Sequence, residues 1–214
     1  MESPKNKSKK VRMKIMARIL VIESYLAPRE TSVSTYAQEQ FVLAYQRLHP
    51  DAEFIRLNLN KEKKLQTFLT AETYSSFWDV DSDRYIALVN SCDKLIISTN
   101  MVNFNISPIL KNFLDNILQA GKTFRYKYDG KGKSEGLLRP GIKAQLLMAQ
   151  GASIGTYPWG NFDNYLKNTL AFAGITDVQV LVFDGTKEED QRNLTVAQKF
   201  ALKKAEFDKQ VESF

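Results

Sequence analysis

The chain has one cysteine, Cys92, and one histidine, His49, in 214 residues. A lone thiol excludes an intramolecular disulfide and makes a cysteine-based metal cluster a poor expectation. One imidazole leaves a zinc site or a serine–histidine triad almost nothing to work with. Cys92 therefore reads as a structural thiol and His49, beside Pro50 at the end of a helix, as a surface residue. Chemistry in such a chain has to rest on a bound cofactor rather than on side chains.

Long apolar runs are missing too. No stretch approaches the roughly 20 residues that span a bilayer. Residues 15–22 resemble the apolar part of an export signal, but Arg18 interrupts them and no small-residue cleavage site follows in Glu23-Ser24-Tyr25. The expectation is a cytoplasmic protein with neither a membrane partner nor a nucleic-acid partner. The formal charge of +6 does not contradict this. Lys5, Lys7, Lys9, Lys10, Arg12, Lys14 and Arg18 stand against Glu2 alone, so the first 18 residues carry all of it and the remainder is neutral. Aromatic interleaving and a DNA-reading helix are both absent, so residues 1–16 read as a disordered basic arm ahead of one domain over 17–214.

What is present is an ordinary globular composition, 43% hydrophobic and 25% charged. Residues 18–23, 94–98, 142–149 and 178–183 are short apolar runs suited to buried strands, and 53–58 alternates like a strand near a sheet edge. Between them, residues 35–48, a segment ending at Cys92, residues 107–120 and residues 162–172 have helical spacing, and a charged helix closes the chain. Ser107-Pro108 starts the third helix and Gly121 stops it. Residues 59–80 are long for a connection and suit a lid, a partner surface or a helical flap. Strands alternating with helices imply an α/β, flavodoxin-like, doubly wound five-stranded parallel sheet in the order 2-1-3-4-5.

Such sheets bind ligands beyond the carboxyl ends of the strands, at the switch point between the first and third. Two loops flank that point. The first runs through Thr31-Ser-Val-Ser-Thr35 into a helix, where small hydroxyls and free N–H groups can surround a phosphate, or can simply cap the helix. The second is Thr99-Asn-Met-Val-Asn-Phe-Asn-Ile106. Its asparagines and amides match a polar ring and its Met and Phe supply apolar contact, although Asn also favours turns for conformational reasons. Gly130-Lys-Gly-Lys-Ser134 suggests a nucleotide P-loop, but that pattern needs glycine where Lys127 stands, so the segment reads as a mobile polar loop.

Met101-Val-Asn-Phe-Asn-Ile-Ser107, Leu110-Lys-Asn-Phe113, Asp115, Gly121-Lys-Thr-Phe-Arg-Tyr126 and Gly174-Ile-Thr-Asp-Val178 together resemble the FMN-dependent NADH azoreductases, also called acyl-carrier-protein phosphodiesterase-like quinone reductases. The resemblance implies FMN, with its phosphate on Ser32, Val33 and Ser34 and Ser24 or Tyr25 nearby. It implies flavin contacts from Met101, Val102, Asn103 and Phe104, approach of the Gln150-Gly151 turn to the ring, and Tyr126 at a substrate pocket. It further implies NADH or NADPH as co-substrate, a quinone or azo compound as acceptor, two-electron ping-pong hydride transfer through flavin N5, and a homodimer. An FMN-binding electron carrier, or a flavin module weakened in turnover, is the alternative. Asn100 and Val102 stand where the family usually has Pro and an aromatic, and Gln150-Gly151-Ala152 where it has an Arg-Gly-Gly type of turn. If the second glycine there needs a positive φ, Ala152 is strained by roughly 1 kcal/mol.

Overall fold

A computed structural model describes residues 16–26, 28–128 and 133–214. The basic arm read over residues 1–16 lies outside them except for Met16. Five parallel strands, β1 (Arg18–Glu23), β2 (Glu53–Asn58), β3 (Lys94–Asn100), β6 (Lys143–Ala149) and β7 (Asp177–Phe183), form a sheet in the order β2-β1-β3-β6-β7. This is the expected doubly wound arrangement, with β2 at an edge. Side chains alternate between the two faces, as strand geometry requires. Leu20, Ile22, Leu95 and Ile97 face one core with α2 (Val80–Asn90), α3 (Pro108–Ile117) and α4 (Phe162–Phe172). Ile19, Val21 and Ile96 face the other, with α1 (Val33–Leu48), α5 (Val196–Ala201) and α6 (Lys204–Ser213). Burial on both sides explains why these strands read as unbroken apolar runs.

The closing helix is thus two helices, broken around Lys203, whose backbone is not helical. A second departure concerns residues 124–136. Phe124–Lys127 (β4) and Lys133–Gly136 (β5) pair antiparallel as a hairpin outside the main sheet. Lys133 and Ser134 are strand residues rather than part of a mobile loop, and residues 129–132 fall outside the described set. Phe124-Arg-Tyr-Lys127 does alternate, but over only four residues, and its partner Lys133-Ser-Glu-Gly136 has no apolar side chain to mark it as a strand.

Residues 59–79 do not hang free. Leu59, Leu65 and Phe77 are buried, and the Asn112 amide of α3 donates to the Leu65 and Thr67 carbonyls at 2.9 Å each. The Trp78 indole N–H donates to the Asp115 carbonyl at 2.8 Å. The segment is a packed cover on α2 and α3. Cys92 is buried, and that burial pushes its thiol pKa up. His49 caps the carboxyl end of α1 and is exposed.

Candidate functional site

The switch point is built from buried polar groups. Gln38 of α1, fully buried, donates to the Ile22 and Ile96 carbonyls at 2.9 and 3.0 Å and accepts from the Ser98 hydroxyl at 2.9 Å. Ser24 Oγ donates to the Ser98 carbonyl at 2.7 Å. These bonds lock the carboxyl ends of β1 and β3 to the start of α1 and hold the loops above them in place.

Ser32 is the N-cap of α1, and its Oγ accepts from the Thr35 N–H at 3.3 Å and the Thr35 hydroxyl at 2.8 Å. The first helical N–H groups have no intrahelical partner. Thr35 uses the cap and Tyr36 bonds the Ser32 carbonyl at 3.0 Å, and among the described residues the Val33 and Ser34 N–H groups have no partner, which leaves them for an outside acceptor. The helix's positive end adds to their attraction for an anion. From β3, Asn100 reaches this loop: its Oδ1 accepts from the Ser34 hydroxyl at 2.6 Å.

Beyond Asn100, the Met101 N–H donates to the Ala149 carbonyl at 2.8 Å, fixing the loop against β6. Val102 and Asn105 then exchange two backbone bonds, 2.7 and 3.1 Å, around Asn103 at φ 47° and Phe104 at φ 70°. Two left-handed residues between paired neighbours make a type I′ turn. Asn tolerates this conformation, but an aromatic residue there stores strain. The strain falls here, not at Ala152, whose φ is not positive. Residues 150–152 are laced to the loop after β7 by Gly185 N–H to Ala152 O, Thr186 N–H to Gln150 O and Lys187 N–H to Gly151 O, at 3.0, 3.2 and 2.9 Å.

Together these loops enclose a cleft of about 410 Å³. Of the residues named from sequence, Ser24, Ser32, Val33, Met101, Val102, Gln150 and Gly151 line it. Four do not. Ser34 is buried with its hydroxyl on Asn100. Asn103 and Phe104 are exposed on the turn beyond the wall. Phe104 meets the edges of Tyr157 and Trp159, with ring centres 5.2 and 5.7 Å apart. Tyr126 lies on the hairpin, half exposed, against Phe124 and Tyr128. Reasoning from sequence named no role for Thr186, Lys187 or Lys199, all on the wall, and offered Asn100 only as one of three asparagines able to meet a polar ring.

Electrostatics on the β7 side are settled by short bonds. Burial pushes the Asp184 carboxyl up, but the Ile154 N–H at 3.0 Å and Lys203 at 3.3 Å outweigh it and hold the pKa below the ordinary value. Glu188 accepts from the Ser153 N–H and hydroxyl at 2.6 and 2.7 Å. Asp184 is offset by the Lys203 ammonium, while Glu188, which lines an adjoining cleft, is held in place by neutral donors.

The donor set suits a phosphate dianion at one end, with N–H groups rather than a lysine-bearing loop. The other end, with Met101, Val102, Ala149 and a glycine at 151, is largely apolar. The volume lies within the usual range for a cofactor site. FMN fits both its ends.

A parallel sheet in this order with a cleft at its switch point defines a flavodoxin-like protein. Residues 17–205 match the family described by a flavodoxin-like fold. An FMN-dependent NADH:quinone oxidoreductase of Malacoplasma penetrans is 41% identical over 181 residues, which are 84% of this chain and 85% of that protein. One from Mycoplasma mobile is 38% identical over 203 residues, 94% of this chain and 98% of the relative. The chain belongs to the flavodoxin-like family of FMN-dependent NADH:quinone oxidoreductases. Solved structures agree on the fold: an FMN-dependent NADH-azoreductase of Bacillus anthracis in complex with FMN has a TM-score of 0.71 at 23% identity, over 92% of this chain and 99% of that one.

Proposed function

We propose that the chain is an FMN-dependent NADH:quinone oxidoreductase that also accepts azo compounds, works by two-electron ping-pong hydride transfer through flavin N5, and acts as a cytoplasmic homodimer. One observation carries this reading. The N-terminal end of α1 and the Met101, Val102, Gln150 and Gly151 wall line a single cleft, so a phosphoryl tail and a planar ring have adjoining places. The names of the relatives at 41% and 38% identity point the same way.

FMN, when bound, supplies the hydride chemistry that the side chains here lack. The chain's part is binding and orientation. Val33 and Ser34 N–H groups and the Ser32 cap hold the phosphate. Leu26, Val33, Met101 and Val102 keep water from the ring. Met101 and Gln150 also line two neighbouring clefts of about 290 and 350 Å³, space where a nicotinamide and then an acceptor can take turns. Water supplies the protons, and no side chain is assigned as a general acid.

The dimer has its own support. Tyr126 is 54% exposed and Tyr128 92% exposed on a hairpin whose Phe124 packs on Phe172 with ring centres 4.7 Å apart. Tyr126 does not line the cleft of its own subunit. A second copy covering this hairpin gives Tyr126 a substrate pocket to enter.

Anaerobic spectroscopy tests the function. The purified chain, loaded with FMN, is expected to bleach on addition of NADH and to recover its yellow colour with menadione. Yellow protein that NADH leaves unbleached is an electron carrier or a module without turnover. A colourless chain that takes up no added FMN rejects both readings.

A further inference from the structure

Two lysines, Lys187 and Lys199, line the cleft, and neither ammonium has an ion pair or hydrogen bond among the described residues. They stand in different places. Lys199 precedes Phe200, whose ring meets Tyr36 in the first turn of α1 at 5.4 Å, so it belongs to the phosphate end. Lys187 belongs to the turn end. Its N–H bonds the Gly151 carbonyl at 2.9 Å, and its stem lies across Gly151: a Cβ at 151 would stand 3.0 Å from Lys187 Cδ and 3.3 Å from Cγ. Lys187 also lines the adjoining cleft with Met101, Gln150 and Tyr157. Of the acids beside it, Asp184 pairs with Lys203 and the Ile154 N–H, and Glu188, which lines the same adjoining cleft, is turned onto the Ser153 N–H and hydroxyl rather than onto Lys187.

We propose that Lys187 supplies the positive charge that makes this cleft prefer the reduced flavin ring, a role that the neutral Gln150 cannot fill. The proposal rests on the FMN reading above. A hydride leaving reduced nicotinamide yields the oxidised nicotinamide and delivers two electrons and one proton to a neutral ring. The ring then carries one negative charge unless water adds a second proton. A cation near the ring favours that charged form over the oxidised one. Glycine at 151 lets the Lys187 stem lie close against the turn, and a side chain there would displace it.

The test is a midpoint potential measured by anaerobic titration of the FMN-loaded protein against a reference dye, alongside the affinity for oxidised FMN. Lys187→Met is expected to lose about tenfold of the preference for reduced over oxidised FMN, a fall of about 30 mV for a two-electron couple. Lys187→Arg should restore the potential. Because Lys187 is exposed, the difference between wild type and Lys187→Met should shrink at about 1 M salt, where the screening length is about 3 Å. Lys199→Met should weaken binding of oxidised and reduced FMN alike and leave the potential within about 14 mV of wild type, about threefold in the preference. A Lys187→Met potential within about 14 mV of wild type overturns the proposal, as does a Lys199→Met shift equal to that of Lys187→Met. Failure of the unmodified chain to take up FMN is a different result: it sinks the functional reading itself.

Discussion

The two ends of the same five strands treat their polar groups in opposite ways. At the amino end they are consumed within the protein. Arg18 N–H donates to Asp93 Oδ2 at 2.9 Å, Asp93 N–H to the Arg18 carbonyl at 2.7 Å, and Lys143 N–H to the Asp93 carbonyl at 3.1 Å. The Arg139 guanidinium closes the row on the Cys92 carbonyl and Asp93 Oδ1, at 2.6 and 3.0 Å, and Lys94 reaches Tyr45 Oη at 2.9 Å. At the carboxyl end the side chains fix the loops, yet helix N–H groups, two lysines and an apolar wall face open space. A closed edge holds the fold together, and an open edge holds a ligand. Substitutions at the two ends should therefore separate stability from binding.

The largest expected effect is on the closed side. A Cβ at Gly136 would stand 2.2 Å from the Gly174 nitrogen and 2.4 Å from the Ala173 carbonyl carbon, backbone that precedes β7. Gly136→Ala should lower unfolding free energy by about 3 kcal/mol in denaturant, as overpacking against backbone does. The folded fraction should still bind FMN with unchanged affinity; a parallel loss of affinity would blur the division. On the open side, Ser32→Val removes the α1 cap. Stability should drop by about 1 kcal/mol, and FMN affinity by about tenfold as the N–H groups lose their alignment. Equal affinity in the variant would contradict the phosphate role.

How far these ends can be read from sequence differs in kind. The strands are legible because both faces of the sheet are covered, so residues such as Leu20, Val21, Ile96 and Ile97 form continuous apolar runs. Helix α3 is legible from its spacing and its Ser107-Pro108 start. The hairpin is not, because Arg125, Tyr126 and Lys127 are exposed and their partners Lys133, Ser134 and Glu135 are polar. Within the site, local chemistry locates Ser32 and Met101, since capping and loop composition are short-range signals. Lys187 and Lys199 reach the same cleft through chain crossovers that no local pattern announces. Asn100 is ambiguous in sequence: three asparagines share one loop, and only the fold decides which of them meets Ser34.

Asn103 gives a smaller test of the open edge. Leu at φ 47° should cost about 1 kcal/mol, whereas Gly adopts that conformation freely. Asn103→Gly should thus match wild type in both thermal midpoint and FMN retention, and Asn103→Leu should fall short in both. If Asn103→Gly also releases FMN, the side chain itself makes the contact, despite lying off the cleft wall.

The smallest effect expected is electrostatic. Glu39 accepts from Arg56 at 2.7 and 2.8 Å, and that hydrogen bond, opposed by burial and helped by the Arg56 and Arg29 charges, holds its pKa below 4.5. A carboxyl depressed in the folded state adds stability above pH 4.5 that disappears as pH falls through the lower folded value. The pair is partly exposed, so the gain is modest. The drop in thermal midpoint on acidification should be shallower in Glu39→Gln; identical slopes would remove the contribution.

The most direct measurement is an equilibrium titration of the flavin-free chain with FMN and, separately, with riboflavin. An open edge built for a phosphoryl tail and a planar ring should bind one FMN per chain, bind riboflavin more weakly, and lose that difference in Ser32→Val. Equal affinity for FMN and riboflavin in the unmodified chain, or no saturable uptake of either, would contradict it.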